Sequence, residues 1–217
     1  IIATMIKKGT LKQAVDDQGY KYIAFIGYDD IGLISGIGIR SCMSKSSFKS
    51  DIVNSDYQFG WLYDNEVNPT RAYSSQEHYD PNKPLYCFES YIDMMSYMTL
   101  MKQNGKDINA AAFLSCGSAT KYKTVLSTMQ RYGYKNIVEC FDNDDAGRLF
   151  SSKLRQEIIK KEGTHFMTIL PPEEKDWNDY LKSISVSSIK KSIKQAQQSA
   201  LKKTAERNKV PKKAIQR

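Results

Sequence analysis

The sequence predicts an α/β protein: a four-stranded parallel sheet with helices on both faces, preceded by a small α+β subdomain. Three observations lead there. From Pro84 onward, short apolar runs at 85–89, 110–116, 136–142 and 165–170 alternate with helical spacing at 91–103, at 120–132 and from Gly147 to Glu162. Gly105, Gly133, Gly163 and the pair Pro171-Pro172 punctuate that alternation. Acidic residues gather where strands stop, Glu89 after the first and Asp142 after the third. Ligands of such sheets collect at the carboxyl ends of strands, near the switch in strand order. For Glu89 and Asp142 to share a site, the first and third strands must be neighbours, which gives the order 2-1-3-4.

The region before Pro84 reads differently. Residues 3–19 carry Leu11 and Val15 on one helical face and close at Gly19, which predicts a short helix. KYIAFIGYDD and IGLISGIGIR read as two strands of a hairpin, bent at Asp29, Asp30 and Gly32. A polar, basic stretch with Arg40, Lys45 and Lys49 follows, then DIVNSD and YQFGWLY, strand-like to about Asp64. Residues 1–80 thus form one unit of hairpins, and the loop 68–84, with Pro69, Pro81 and Pro84, leaves it. The parallel α/β domain covers 84–183, and a basic helix and tail cover 184–217, with Ile189, Ile193, Ala196, Ala200 and Leu201 at helical spacing.

Composition narrows the function class. No run of 18 apolar residues exists, so no membrane span is expected. The start lacks the layout of a signal peptide, and its lack of Met fits a fragment of a longer protein. Cys42, Cys87, Cys116 and Cys140 are not spaced as zinc ligands, and His78 and His165 are the two histidines, so no structural zinc is expected. Three of the cysteines lie in apolar runs as reduced thiols, which suits the cytoplasm. The net charge is +8, yet residues 186–217 hold ten Lys or Arg against Glu206 alone. The body is therefore close to neutral, and the tail is either a solvated helix or a contact for nucleic-acid phosphates.

The acids carry the chemistry. NIVECFDNDDAG, 136–147, is a buried strand running into Asp142, Asp144 and Asp145 and then into a helix. Alternation along a strand lets Asp142 and Asp144 point the same way. Carboxylates so placed repel one another, and a hard divalent cation, Mg²⁺ or Mn²⁺, relieves them. Asp144 or Asp145 equally suits the N-cap of the next helix. Asp176 and Asp179 in EEKDWNDYLKS share a helical face and reach the same edge of the sheet, or simply favour a helix start. Asp93 lies four residues past Glu89. A phosphate-binding GxxxxGK[ST] loop is absent, and neither histidine sits in the context of a catalytic base.

Glu89-Ser90-x-x-Asp93, DNDDAG at 142–147 and KDWNDYL at 175–181 together resemble a TOPRIM domain of the kind found in DnaG-type primases, topoisomerases and some nucleases. The resemblance covers about 84–183 and departs from the family at Ser90, where glycine is usual. It implies Glu89 as general acid/base or metal-linked carboxylate, Asp142 and Asp144 as Mg²⁺ ligands, Asp93 in support, and Asp176 and Asp179 in support or on a second ion. GLISGIGIR with FKSDIVNSDYQFGW also resembles the segment before TOPRIM in primase-like proteins of plasmids and conjugative elements. That likeness implies phosphate contacts at Arg40 and Lys49, with Asn54, Ser55 and Lys175 near nucleotide or nucleic acid; Tyr57 stands where lysine is frequent. The implied function is a primase core making short RNA on single-stranded DNA from NTPs. Its partners would be a helicase or a separate zinc-binding domain. A metal-dependent nuclease, or a DNA-binding module that has lost catalysis, are the alternatives. No Tyr announces the strand-cleaving context a topoisomerase needs.

Overall fold

The computed structural model describes residues 1–43, 46–56, 58–71 and 80–188. The chain opens with a helix α1 (Ile2–Lys7), which the left-handed turn at Gly9 ends. The predicted helix over 3–19 is thus much shorter. Leu11 and Val15 belong instead to a strand β1 (Leu11–Val15), paired antiparallel with β2 (Lys21–Tyr28). Their spacing mimicked a helical face, but Val15 is 59% exposed and only Leu11 is buried. Asp16 accepts hydrogen bonds from the backbone N–H groups of Gln18 and Tyr20 and so closes the β1–β2 turn.

The predicted hairpin forms β2 and β3 (Ile34–Ser41), with Asp29 accepting from Ile31 and Leu33 N–H at the bend. A short β4 (Lys49–Asp51) completes an antiparallel sheet β1-β2-β3-β4. The strand read over DIVNSD stops at Asp51, because Asn54 takes a left-handed backbone, φ 68°, in the turn that follows.

The second sheet holds β6 (Pro84–Phe88), β7 (Ala112–Ser115), β8 (Asn136–Glu139) and β9 (His165–Thr168), all parallel, in the order β7-β6-β8-β9. This is the predicted 2-1-3-4. A fifth strand, β5 (Trp61–Tyr63), pairs antiparallel with β7 at the edge, so the sheet reads β5-β7-β6-β8-β9. The first 80 residues therefore contribute one strand to the second sheet.

Alternation along these strands builds two cores. Phe88, Phe113, Val138 and Cys140 face α2 (Tyr91–Gln103), where Met94 and Met98 meet them, and Trp177 of a last helix whose described part is 177–188. Leu85, Cys87, Leu114 and Ile137 face the other way, onto Val125 and Met129 of α3 (Lys123–Tyr132) and Leu154 and Ile158 of α4 (Asp145–Ile158). Helices thus cover both faces, as expected. Cys87, Cys116 and Cys140 are buried free thiols, and burial pushes all three well above the ordinary thiol range.

An aromatic cluster ties the first sheet to the second, and a polar network beside β5 joins the end of α1 to the second sheet. Tyr91, at the start of α2, stacks on Phe25 of β2 at 4.4 Å and meets Trp61 edge-on at 5.9 Å. At the amino ends of the parallel strands, buried Lys83 donates to Asp64 Oδ1 at 2.6 Å and Asn65 Oδ1 at 2.7 Å, and Tyr134 Oη donates to Asp64 Oδ2. Lys8 reaches over from α1 to the carbonyls of Asp64 and Val67 at 2.7 and 2.9 Å. Removing Asp64 takes away the close, buried carboxylate of Lys83 and leaves only the more exposed Glu66 at 3.7 Å. Asp64→Ala is expected to destabilise the fold by about 3–5 kcal/mol, measured by urea denaturation; a change within about 0.5 kcal/mol would show that the pair is not structural.

Candidate active site

The site forms where β6 and β8 stop side by side. Glu89 follows β6 directly. Ser90 then turns the chain as N-cap of α2: its Oγ accepts from Asp93 N–H at 3.2 Å and donates to Asp93 Oδ2. Next door, β8 ends at Glu139, and Cys140 and Phe141 carry the chain to Asp142, whose N–H donates to Glu89 Oε1 at 3.1 Å. Asp144 caps α4, accepting from Gly147 N–H at 2.9 Å. Asp144 therefore fulfils the capping reading and still presents its second oxygen, Oδ2, to Lys175 Nζ at 3.0 Å.

The close approach depends on Gly147. A Cβ there would lie 2.0 Å from the Asp142 carbonyl oxygen and 2.9 Å from Glu89 Oε1. Only glycine lets the first turn of α4 come down onto both acids.

The last helix joins from the other side. Asp176 caps it, accepting from Asp179 N–H at 2.7 Å, and Asn178 N–H donates to Asp93 Oδ1 at 2.9 Å. Trp177 Nε1 donates to the Cys140 carbonyl at 3.1 Å, and Asn143 N–H to the Lys175 carbonyl at 2.8 Å. Thus Asp93, itself buried, fastens two helix starts to each other beneath the rim.

The structure brings Glu89, Asp93, Asp142, Asp144 and Asp176 together as mutually interacting charges. Asp179 stands apart, its carboxylate paired with Lys182 at 3.0 Å on the exposed side. Asp142 bears the most strain. Burial, then the charges of Glu89, Asp93, Asp176 and Asp144, push its carboxyl up to about 8. Its Oδ1 is buried and has no hydrogen-bond partner among the described residues. Burial likewise raises Glu89 and Asp93, opposed at Glu89 by the Asp142 N–H. Asp144 is lowered instead, first by the Gly147 N–H and then by Lys175.

An orphaned buried oxygen amid repelling carboxylates, all of them hard donors, fits a divalent cation such as Mg²⁺. Among the described residues no three acidic, histidine or cysteine side chains are already grouped closely enough to hold an ion together. The acids line a rim.

The predicted nucleotide contacts fall in two places. Arg40 and Lys49 are register partners on β3 and β4 and line a cleft of about 300 Å³ between the two sheets, together with Ser90, Tyr91 and Lys121. Lys175 is at the acid rim. Asn54 lies in the exposed turn after β4, and Ser55 Oγ is engaged there, donating to the Ile52 carbonyl at 2.7 Å and accepting from Ile37 N–H at 3.2 Å. Tyr57, His78 and the basic helix and tail beyond 188 lie outside the described residues.

Sequence reasoning missed Glu139 and Lys121. Glu139 is fully buried behind the rim, holding Ser151 Oγ at 2.8 Å and Phe141 N–H at 2.5 Å, so it fixes the turn that delivers Asp142. A charged residue inside an apolar strand was its signal. Lys121 had none: its ion-pair partner Asp51 is 70 residues away.

Residues 86–181 match the family described as Toprim-like. This segment is similar to that family. The chain as a whole shares its fold with the primase fragment of the bacteriophage T7 primase-helicase protein: TM-score 0.57, 18% identity, 88% of this chain and 70% of that one. The E. coli primase catalytic core is similar at TM-score 0.50 and 20% identity, over 83% of this chain and 55% of that one. A protein of Bacillus anthracis from pXO2, pXO2-78, is 25% identical over 197 residues, 85% of this chain. The chain spans 53% of that relative's length, about half of it. The Toprim-like segment includes Glu89, Asp93, Asp142, Asp144, Asp176 and Asp179. Both structural matches cover more of this chain than that segment does, 88% and 83% of it. No helix among the described residues is long and apolar enough to cross a membrane.

Proposed function

We propose that this chain is the catalytic part of a cytoplasmic, primase-like nucleotidyltransferase of a plasmid or other mobile element, making short RNA on single-stranded DNA from NTPs. One observation carries the reading: the orphaned, raised Asp142 carboxylate beside Glu89, with Ser90, the next residue after Glu89, lining a cleft of about 300 Å³ that Arg40, Lys49 and Lys121 also line. The likeness of the overall fold to primase cores supports it. We assign residues 1–80, 84–183 and 184–217 to a primase-like α+β subdomain, the Toprim-like domain and a basic helix and tail.

In this reading a 3′-hydroxyl attacks the α-phosphorus of the next NTP. An O–P bond forms, the α–β bridging P–O bond breaks, and pyrophosphate leaves. Glu89, more basic than an ordinary carboxylate through burial, takes the hydroxyl proton. Asp142 and Asp144 would hold Mg²⁺ or Mn²⁺, with Asp93 and Asp176 in support, and an ion held there would supply positive charge beside the phosphate oxygens. Asp179, facing Lys182, suits a second ion only if that pair opens. Lys175 leaves Asp144 for a phosphate oxygen, and Arg40 and Lys49, with Asn54 and Ser55 nearby, position template or nucleotide. A helicase or separately supplied zinc-binding domain would bring the template.

Asp144→Asn separates charge from capping, because Asn caps as well as Asp. The variant is expected to fold with stability within about 1 kcal/mol of the parent and lose at least about 100-fold in primer synthesis. The assay supplies NTPs, a single-stranded template and Mg²⁺ or Mn²⁺, with labelled short RNA as readout. Unchanged turnover would remove Asp144 from the chemistry. Template cleavage without NTPs would select the nuclease on the same rim, and tight metal-independent DNA binding with neither activity would select a binding module.

A further inference from the structure

The cleft between the two sheets contains a cation that the acid rim does not use. Lys121 ends the 3-10 turn Ala119–Lys121 that follows β7. Its Nζ is bonded to Asp51 Oδ2 at the end of β4, so an ion pair closes the first sheet onto the second. The side chains are 16% and 27% exposed, well out of bulk water yet reached by it. Both residues line the cleft with Arg40 and Lys49. Ser118 and Thr120 hydroxyls, 3.1 Å apart, add donors on the same wall. Ser90, adjacent to Glu89, forms the side nearest the acids. Among the described residues the lining thus sets three cations, Arg40, Lys49 and Lys121, against a single carboxylate, Asp51.

That carboxylate stands where an anionic ligand would. An ammonium held at this depth needs a negative partner, and a phosphate oxygen satisfies it as a carboxylate oxygen does. A cleft of about 300 Å³ is the size of a small-ligand site rather than a track for a polynucleotide backbone. We propose that Lys121 binds the triphosphate of an incoming nucleotide and that Asp51 keeps its place in the ligand-free protein. A phosphate oxygen replaces Asp51 at Nζ, the pair opens, and β4 is released from the 119–121 turn as the ligand enters. The proposal rests on the nucleotidyl-transfer reading and adds to it the residue that recognises the leaving polyphosphate.

The test is isothermal titration calorimetry of the full chain with inorganic triphosphate, with EDTA present and no template. Asp51→Asn is expected to tighten binding about three- to tenfold, the worth of a partly screened ion pair. Lys121→Gln is expected to weaken it about tenfold, Lys121→Arg to retain it, and Asp51→Asn in the Lys121→Gln background to add nothing. An unchanged affinity for Asp51→Asn, or an equal gain with Lys121 removed, would mean a general field effect and overturn the proposal. Thermal melts of each variant keep a folding defect from being read as lost binding, and the Lys121→Arg arm decides the matter if Lys121→Gln unfolds. A single-stranded oligonucleotide titrated in parallel should be insensitive to both substitutions; if it responds and triphosphate does not, the proposal falls. Lys121-dependent triphosphate binding without primer synthesis leaves this site standing and removes the polymerase reading. Primer synthesis with unresponsive triphosphate binding does the reverse.

Discussion

Asp142→Asn is expected to stabilise the metal-free protein and to abolish nucleotide transfer. The Asp142 carboxyl is held up to about 8 by burial and by Glu89, Asp93, Asp176 and Asp144, against an ordinary value of 3.8. The folded protein therefore keeps a proton that the unfolded chain has already released. With the folded value raised, stability is greatest below pH 3.8 on this group's account and falls as pH rises toward about 8. Such a displacement corresponds to about 5 kcal/mol for a dry group, but Asp142 is partly exposed, and screening leaves about 1–3 kcal/mol. Asn removes the charge, keeps the size, and offers an amide N–H to the neighbouring carboxylates. Urea denaturation at pH 5 and pH 8.5 checks this. The parent should lose stability between the two and regain it with millimolar Mg²⁺, as a ligand bound only to the folded state must restore it. The variant should show a smaller loss and no magnesium response. A variant less stable than the parent at pH 8.5 would mean that Asp142 is structurally satisfied and holds no ion.

The rim was legible because its parts are local. A strand, an acid at its end and a helix start can be read in a dozen residues, and the shared site of Glu89 and Asp142 then required β6 and β8 to be neighbours. What sequence could not supply were pairings between distant, short or ambiguous pieces. Trp61–Tyr63 reads as strand-like, but nothing in its three residues assigns it to the second sheet beside β7, some fifty positions later. Leu11 and Val15 fit a helix by spacing until β2 offered Leu11 a place opposite Phe25. Asp176 and Asp179 share a helical face, yet one is spent on the cap and the other turns to Lys182, so face-sharing did not put Asp179 at the site. The Asp64–Lys83–Tyr134 network and the Lys121–Asp51 pair join residues up to 70 apart and leave no periodic trace.

Gly147→Ala should do the opposite of what helix propensity dictates. Gly147 lies in the first turn of α4, where exchanging glycine for alanine gains up to about 1 kcal/mol in an unobstructed helix. Here the new methyl group would come within 2.0 Å of the Asp142 carbonyl oxygen, 3.0 Å of its carbon and 2.9 Å of Glu89 Oε1. The backbone oxygen cannot swing aside as a side chain would, so α4 must lift or the Asp142 turn must move. Either shift stretches the Gly147 N–H bond to Asp144 and the Asp142 N–H bond to Glu89 at once. Overpacking of this kind costs about 1–3 kcal/mol, enough to exceed the propensity gain. Displacement of the acids by about 1 Å costs on the order of 100-fold in rate. Thermal melting and the primer assay should therefore both fall, with magnesium no longer restoring stability at pH 8.5. Primer synthesis at the parental rate in Gly147→Ala would show that the α4 start can rise without moving Asp142. The geometry of the rim would then tolerate what its spacing forbids, and Glu89 and Asp142 would not need to be held together for the chemistry.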